Sequence, residues 1–356
     1  MIYFDNAATT APIGAVQAYY NPSSPHALGI IAERAIRDAR VTIAKLLDSS
    51  NGDVIFTSGG TESNNLAIIG YSLANKKQNV IFFAAAYEHP SILAPIQFVD
   101  VQGWGKAHIG SNITDGNVFV SVSHINHETG DINDIASIAA DIKRTNPSAI
   151  IHVDGAQGFC KEHIGLQNVD LYSFSGHKCH APVGTGGLWI RKGVRLTPFL
   201  HGGGQEGGMR SGTENTGAIV QMAEVADSLY HNIITNHEHV TQVRNAMHKL
   251  CDVLPDTCVN TLGSKTSPYI LNMSFFGIKG EVLVHSLSEK GIYVSMGAAC
   301  NSRKRAGSTL DLMGFSCEIA ESAIRFSFSP YNTLEEAVIA RDTIIADVIR
   351  LRKIME

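Results

Sequence analysis

The sequence predicts an α/β protein in which a mixed, mostly parallel sheet carries helices on its faces and is joined to a smaller α+β unit. Three observations predict it. Short apolar runs alternate with helical stretches, the runs are apolar on both faces, and the pattern changes after Leu254-Pro255-Asp256. The first helix is expected over Ala32 to Leu47, where Ala32, Ala35, Ile36, Ala39, Ile43, Ala44 and Leu47 recur at helical spacing with charges between them. Val54-Ile55-Phe56-Thr57 reads as a strand. Ser58-Gly59-Gly60 closes it, and a helix follows from Thr61 to about Leu73. Further strands are expected at Val80 to Ala84, Val118 to Val122, Ile150 to Val153, Leu171 to Phe174 and Gly187 to Ile190, with a helix over Asp134 to Arg144. Unbroken apolar runs such as Val80-Ile81-Phe82-Phe83 suit a sheet covered on both sides.

A long helical stretch is expected from Thr216 to Val253, and Pro255 breaks it. Beyond it, strands at Ile270 to Phe275, Ile292 to Val294 and Ile324 to Phe328, with helices at Glu281 to Lys290 and Leu334 to Ile354, make the smaller unit. No internal repeat is present, and the glycine-dense stretch His201 to Gly212 is the one segment of unusual composition.

Composition excludes several classes. The 356 residues are 44% hydrophobic and 17% charged, which suits a globular chain with a sizeable core and not a disordered one. Lys and Arg number 28 against 33 Asp and Glu, so the net charge of -5 offers no general attraction to nucleic acid. Six cysteines without a CxxC pair read as reduced thiols. The beginning lacks a basic segment followed by an apolar one, and no apolar run nears the ~18 residues of a membrane span, so a cytoplasmic protein without membrane contact is expected. His231, His237 and His239 lack zinc-site spacing, and no metal is expected.

Chemistry is expected where the strands end, because ligands collect at the carboxyl ends of parallel strands. Ser175-Gly176-His177-Lys178 follows the Leu171 run, and a lysine desolvated there could attack a carbonyl as a free amine; the alternative is a surface lysine in a turn. Asp154 ends the run Ile150-Ile151-His152-Val153, with Gln157 three residues on. Such a carboxylate could keep a pyridine nitrogen protonated, as an electron-sink cofactor of the pyridoxal phosphate kind requires, and Gln157 could donate to its ring oxygen. The alternatives are a helix cap and a surface amide. Ser58-Gly59-Gly60-Thr61 offers backbone NH groups for a phosphate, or only a tight turn.

His89, after the Val80 strand, could stack on an aromatic ring or be structural. Asn126 or His127, after the Val118 strand, could bond a ring oxygen or form an Asx turn. Cys300 precedes the basic run Arg303-Lys304-Arg305, which favours the nucleophilic thiolate, against a buried inert thiol. Arg325 lies inside a strand and must face an anion, either a substrate carboxylate or a structural partner.

Together these residues resemble the cysteine desulfurases of the NifS and IscS type in the class V aminotransferase family. The resemblance runs from Asp5-Asn6-Ala7-Ala8-Thr9-Thr10 through Asn21-Pro22-Ser23-Ser24, Thr57 to Asn64, Glu88-His89, His152-Val153-Asp154, Ser173 to Lys178 and His201 to Glu206, to Met209 to Thr213, Gly297 to Cys300 and Ser322 to Ser327. It implies the pyridoxal-phosphate-dependent fold type I, with a large cofactor domain at 15–255 and a small domain from 1–14 and 256–356. It implies Lys178 as the Schiff-base lysine, Asp154 on the pyridine nitrogen, Gln157 and Asn126 or His127 near the ring oxygen, and His89 stacked on the ring. Phosphate contacts come from Gly60, Thr61, Ser175 and His177, with Thr213 supplied by the second subunit of a homodimer. Arg325, with Asn21, holds the substrate carboxylate.

The resemblance further implies that Cys300 takes sulfur from L-cysteine as a persulfide, leaving alanine, for delivery to an acceptor protein such as an iron-sulfur scaffold or a tRNA thiolation enzyme. A selenocysteine lyase or another class V lyase or aminotransferase is the alternative. Two departures stand out: Cys179-His180-Ala181-Pro182-Val183-Gly184 follows the lysine where the family has two aromatic or aliphatic residues and then Gly-Pro-Lys-Gly, and His127 replaces the second Asn of Asn-Asn-Glu.

Overall fold

The computed structural model describes residues 1–48, 50–110, 116–296 and 308–355. Two compact units divide the chain. The larger takes Ala11–His124 and Asn133–His231, and the smaller takes Met1–Thr10, Ile125–Ile132 and Asn232–Glu356.

After strand β1 (Ile2–Tyr3) of the smaller unit, helix α1 (Ala27–Leu46) opens the larger one. His26 caps it, its Nδ1 accepting from the Gly29 amide at 3.2 Å. Ala32, Ile36, Ala39 and Ile43 form its buried stripe, as the spacing predicts. Truncating the fully buried Ile43 to alanine would cost about 2–5 kcal/mol. Then come β2 (Gly52–Thr57), α2 (Gly60–Ala74), β3 (Ile81–Ala84), α3 (Pro90–Val101), β4 (Lys106–Ile109), β5 (Val118–Ser123), α4 (Ile135–Thr145), β6 (Ile150–Asp154), β7 (Leu171–Ser175), β8 (Gly186–Arg191) and α5 (Thr216–His231).

The seven strands form one sheet in the order β2-β8-β7-β6-β5-β3-β4. All neighbours from β7 to β4 are parallel, while β8 is antiparallel to both β7 and β2. Two antiparallel steps restore direction, so β2 runs with β7. The carboxyl ends of β2, β3, β5, β6 and β7 therefore share one edge. Every residue of β7 is buried, and Phe174 stacks on Phe159 at 4.6 Å. That accounts for the unbroken apolar reading of these strands.

In the smaller unit, α6 (Ile233–His248), α7 (Leu250–Val253), β9 (Thr257–Val259), β10 (Ile270–Phe275), α8 (Gly280–Glu289), β11 (Ile292–Tyr293), α9 (Thr309–Leu312), α10 (Cys317–Ser322), β12 (Ala323–Ser327) and α11 (Leu334–Met355) follow. Strands β12, β10 and β9 make an antiparallel sheet, and β1 pairs with β11 in parallel. A core of Phe4, Leu271, Met273, Phe275, Ile324, Phe326 and Phe328 fills it.

The helical stretch expected from Thr216 to Val253 is three helices, interrupted at Asn232 and Lys249. The division between units falls at Asn232 and not near Pro255, because the stripe Val240, Val243 and Met247 packs into the core of the smaller unit. Among the described residues no helix is long and apolar enough to cross a membrane, and no cluster of His, Cys, Asp or Glu could hold a metal ion.

Candidate active site

Four groups meet at the shared edge of the large sheet. Asp154 ends β6 and is buried; its Oδ2 accepts from Asn64 Nδ2 at 2.9 Å and its Oδ1 from the Ala156 amide at 3.0 Å. Asn64, on the inner side of α2, also donates to Ser91 Oγ at 2.8 Å, and Ser91 Oγ lies 2.7 Å from His89 Nδ1. A hydrogen-bonded chain thus runs from the His89 ring through Ser91 and Asn64 to the Asp154 carboxylate. His89 is partly exposed to solvent, yet the protein around its ring disfavours the imidazolium and holds its pKa below 6.5. The Asp154 charge acts against that shift and the Lys178 charge with it, so both groups lie within electrostatic reach of the ring. A neutral imidazole with an accessible face suits stacking on a flat ring.

Lys178 is half-buried at the end of the single turn Gly176–Lys178 that follows β7. Beside it, desolvation, with the charges of Lys178 and Lys161, pushes the His177 pKa down to about 4, so this imidazole is a neutral donor at physiological pH. Ser175 Oγ is buried without a hydrogen-bond partner. The amino end of α2 faces it. Gly59 caps that helix with no side-chain hydrogen bond, and a Cβ on Gly60 would sit 3.5 Å from the Cβ atoms of both Ala156 and Ser175. The backbone at this helix amino terminus thus lies beside the unspent hydroxyl, the arrangement that receives a phosphate. Thr61 is exposed in the first turn of the same helix.

Glu88, next to His89, is the most perturbed carboxyl here. Burial, opposed by bonds from Ser123 and reinforced by the Asp154 charge, raises its pKa from 4.5 to about 8. Its Oε1 accepts from the Ser123 amide at 3.1 Å, while Oε2 is buried without a partner. The folded protein holds this proton between pH 4.5 and about 8 where the unfolded chain releases it, so stability falls as pH rises through that window, by about 3 kcal/mol at pH 7. Glu88→Gln is expected to leave denaturant stability at pH 5 nearly unchanged and to remove the decline toward pH 8. Equal pH profiles for the two proteins would contradict this.

In the smaller unit Arg325 is buried, donating to His127 O at 2.9 Å and pairing with Asp5 at 3.2 Å and Glu128 at 3.5 Å. The structural ion pair weighed for it is therefore present. Its Nε remains buried without a partner, a donor still available to an anion. Asn126 is buried, its Oδ1 accepting from the amides of Glu128 and Thr129 at 2.8 and 3.0 Å, which is the Asx turn. The His127 ring lies 3.7 Å from Glu128. Asn21, exposed in the larger unit, accepts from the Ser23 amide at 2.9 Å, and Thr213 is exposed. Cys300 and the basic run Arg303 to Arg305 lie outside the described residues.

The larger unit thus brings together His89, Asp154 and Lys178, and lines Ser175 up with Gly60. Of the two residues that connect them, Ser91 carries no motif signal and Asn64 only ends the Thr57 to Asn64 motif with no role attached, though an Asn on the buried side of α2 is a polar group that must have a partner.

An aminotransferase class-V family model matches residues 2–338. The chain belongs to this family. Members are pyridoxal-phosphate-dependent, and this chain is an enzyme of that class. It is 36% identical to a NifS/IcsS protein homolog of Lactobacillus delbrueckii subsp. bulgaricus over 95% of this chain and 94% of that one. It is 35% identical to the cysteine desulfurase IscS of Buchnera aphidicola subsp. Schizaphis graminum over 99% and 93%. Among solved structures, a NIFS-like protein superposes with a TM-score of 0.90 at 31% identity, covering 98% and 99% of the two chains. The fold is that of the NifS-like type I enzymes, as the motifs implied. The residues of this class V enzyme fit the cofactor: a buried carboxylate, a neutral imidazole, an amine and an unspent hydroxyl facing a helix terminus stand along one edge.

Proposed function

We propose that the chain is a pyridoxal-phosphate-dependent L-cysteine desulfurase acting as a cytoplasmic homodimer. The convergence of His89, Asp154 and Lys178 at one sheet edge carries the reading, and the NifS and IscS relatives support the reaction type. Pyridoxal phosphate, when bound, supplies an acceptor for the electron pair released at the substrate carbon. Asp154, anchored by Asn64 and Ala156, keeps the pyridine nitrogen protonated. His89 covers the ring, Gln157 donates to its oxygen, as Asn126 or His127 also could, and Ser175, His177, Gly60 and Thr61 hold the phosphate, with Thr213 added by the partner subunit. Lys178 Nζ holds the coenzyme and carries protons to and from the substrate carbon.

Arg325, through its unspent Nε, and Asn21 bind the substrate carboxylate. The Cys300 thiolate attacks the substrate sulfur, so an S–S bond forms while the C–S bond breaks, and the carbon left behind gains a proton and departs as alanine. The persulfide then passes to an acceptor protein. Purified enzyme given L-cysteine and a thiol reductant is expected to release sulfide and alanine in equal amounts, and Cys300→Ala to release neither. Absence of both products from the unaltered enzyme would overturn the reading; turnover of selenocysteine alone would make it a lyase.

A further inference from the structure

Beyond Asp154 the chain turns through Gly155 to Lys161, and Gly155 and Gly158 let that turn lie against Tyr172 and His124, where any Cβ would collide. The turn ends in a second lysine of this region. Lys161 is only 6% exposed, as is Gln157, and its Nζ donates to Gln157 Oε1 at 3.1 Å. Full burial of a lysine is rare and expensive, so its retention calls for a use. An ammonium has donors only, so the amide atom facing Lys161 must be the oxygen, and the Gln157 nitrogen is turned the other way.

We propose that Lys161 is a positioning residue for the cofactor: its buried ammonium fixes the Gln157 amide so that this side chain can only donate, never accept, toward the ring oxygen of pyridoxal phosphate. The inference rests on the reading that this edge holds that coenzyme. Without the ammonium the amide could rotate by half a turn and present an acceptor to an anionic oxygen, which is repulsive. Other groups share the environment of Lys161. Its charge acts on Cys160 in its own turn, and on His177 and His180 in the segment after β7. Those imidazoles are neutral in the physiological range, with pKa values pushed down to about 4, so neither duplicates the cation. Asp154, His89, Lys178 and Glu88 are further charged or titratable groups of the edge, and His124 and Tyr172 face the turn itself at Gly158 and Gly155; His124 is pushed down to about 4 by burial and adds no cation in the physiological range.

The test uses coenzyme-loaded protein and the pH midpoint at which the visible absorption of bound pyridoxal phosphate changes. A donor to the ring oxygen favours its deprotonated form, so Lys161→Met is expected to raise the midpoint by about one unit, a tenfold gain in proton affinity. Lys161→Gln, which keeps a polar group in the turn, is expected to move it the same way, and Lys161→Arg to restore it. In a Gln157→Leu background, Lys161→Met is expected to add little. An unmoved midpoint in both neutral variants would overturn the proposal, as would an equal shift in both backgrounds, since the charge would then act without the amide. Failure of the unaltered protein to show any visible band would instead overturn the coenzyme reading itself.

Discussion

Replacing Lys178 by alanine is expected to lower alanine production from L-cysteine by about 10⁴-fold or more, with the protein still folded. The amine sits on a one-turn segment after a fully buried strand, so its backbone position does not depend on the side chain. Among the described residues, the other lysine of this edge is Lys161, whose ammonium is engaged with Gln157 and cannot take over. Lys178→Arg is expected to fail almost as badly, since a guanidinium does not give up its proton. A rate within tenfold of the parent for either variant would contradict the assignment.

Asp154→Asn is expected to cost about 10²- to 10³-fold in turnover with a smaller change in KM, because the charge opposite the developing electron pair is lost while the shape is kept. The new amide still accepts from the Ala156 amide through its oxygen, but its nitrogen faces Asn64 Nδ2, setting donor against donor. The Asp154 charge raises the His89 pKa, so its removal lowers that value further and the imidazole stays neutral. The loss in rate therefore cannot be assigned to a charged His89. Steady-state kinetics together with an NMR titration of His89 separate the two effects; an unchanged turnover, or a His89 pKa that rises, would contradict this account.

The central strands were readable because they are buried on both faces, and the candidates Asp154 and Lys178 because one ends and the other directly follows such a strand. Elements without that signal were missed. β4 is an edge strand, Lys106-Ala107-His108-Ile109, exposed at both ends and without an apolar run. α3 begins at Pro90, where proline is well placed in a first helical turn, but it also carries Pro95 in its interior, which reads as a break. The break at Asn232 has neither glycine nor proline to mark it.

At the site, Asp154 and Lys178 were legible one at a time, but the chain that ties His89 to Asp154 was not. Asn64 lies 27 residues from Ser91 and 90 from Asp154, and only the parallel order of the strands makes them neighbours. The Asx reading of Asn126 was visible in its turn sequence, whereas the partners of Arg325, Asp5 and Glu128, are 320 and 197 residues away.

Reduction of the coenzyme-loaded protein with borohydride, followed by digestion and mass spectrometry, locates the amine that carries pyridoxal phosphate. The added mass is expected on the peptide containing Lys178. Finding it on Lys161 or any other lysine, or on none, would contradict the account.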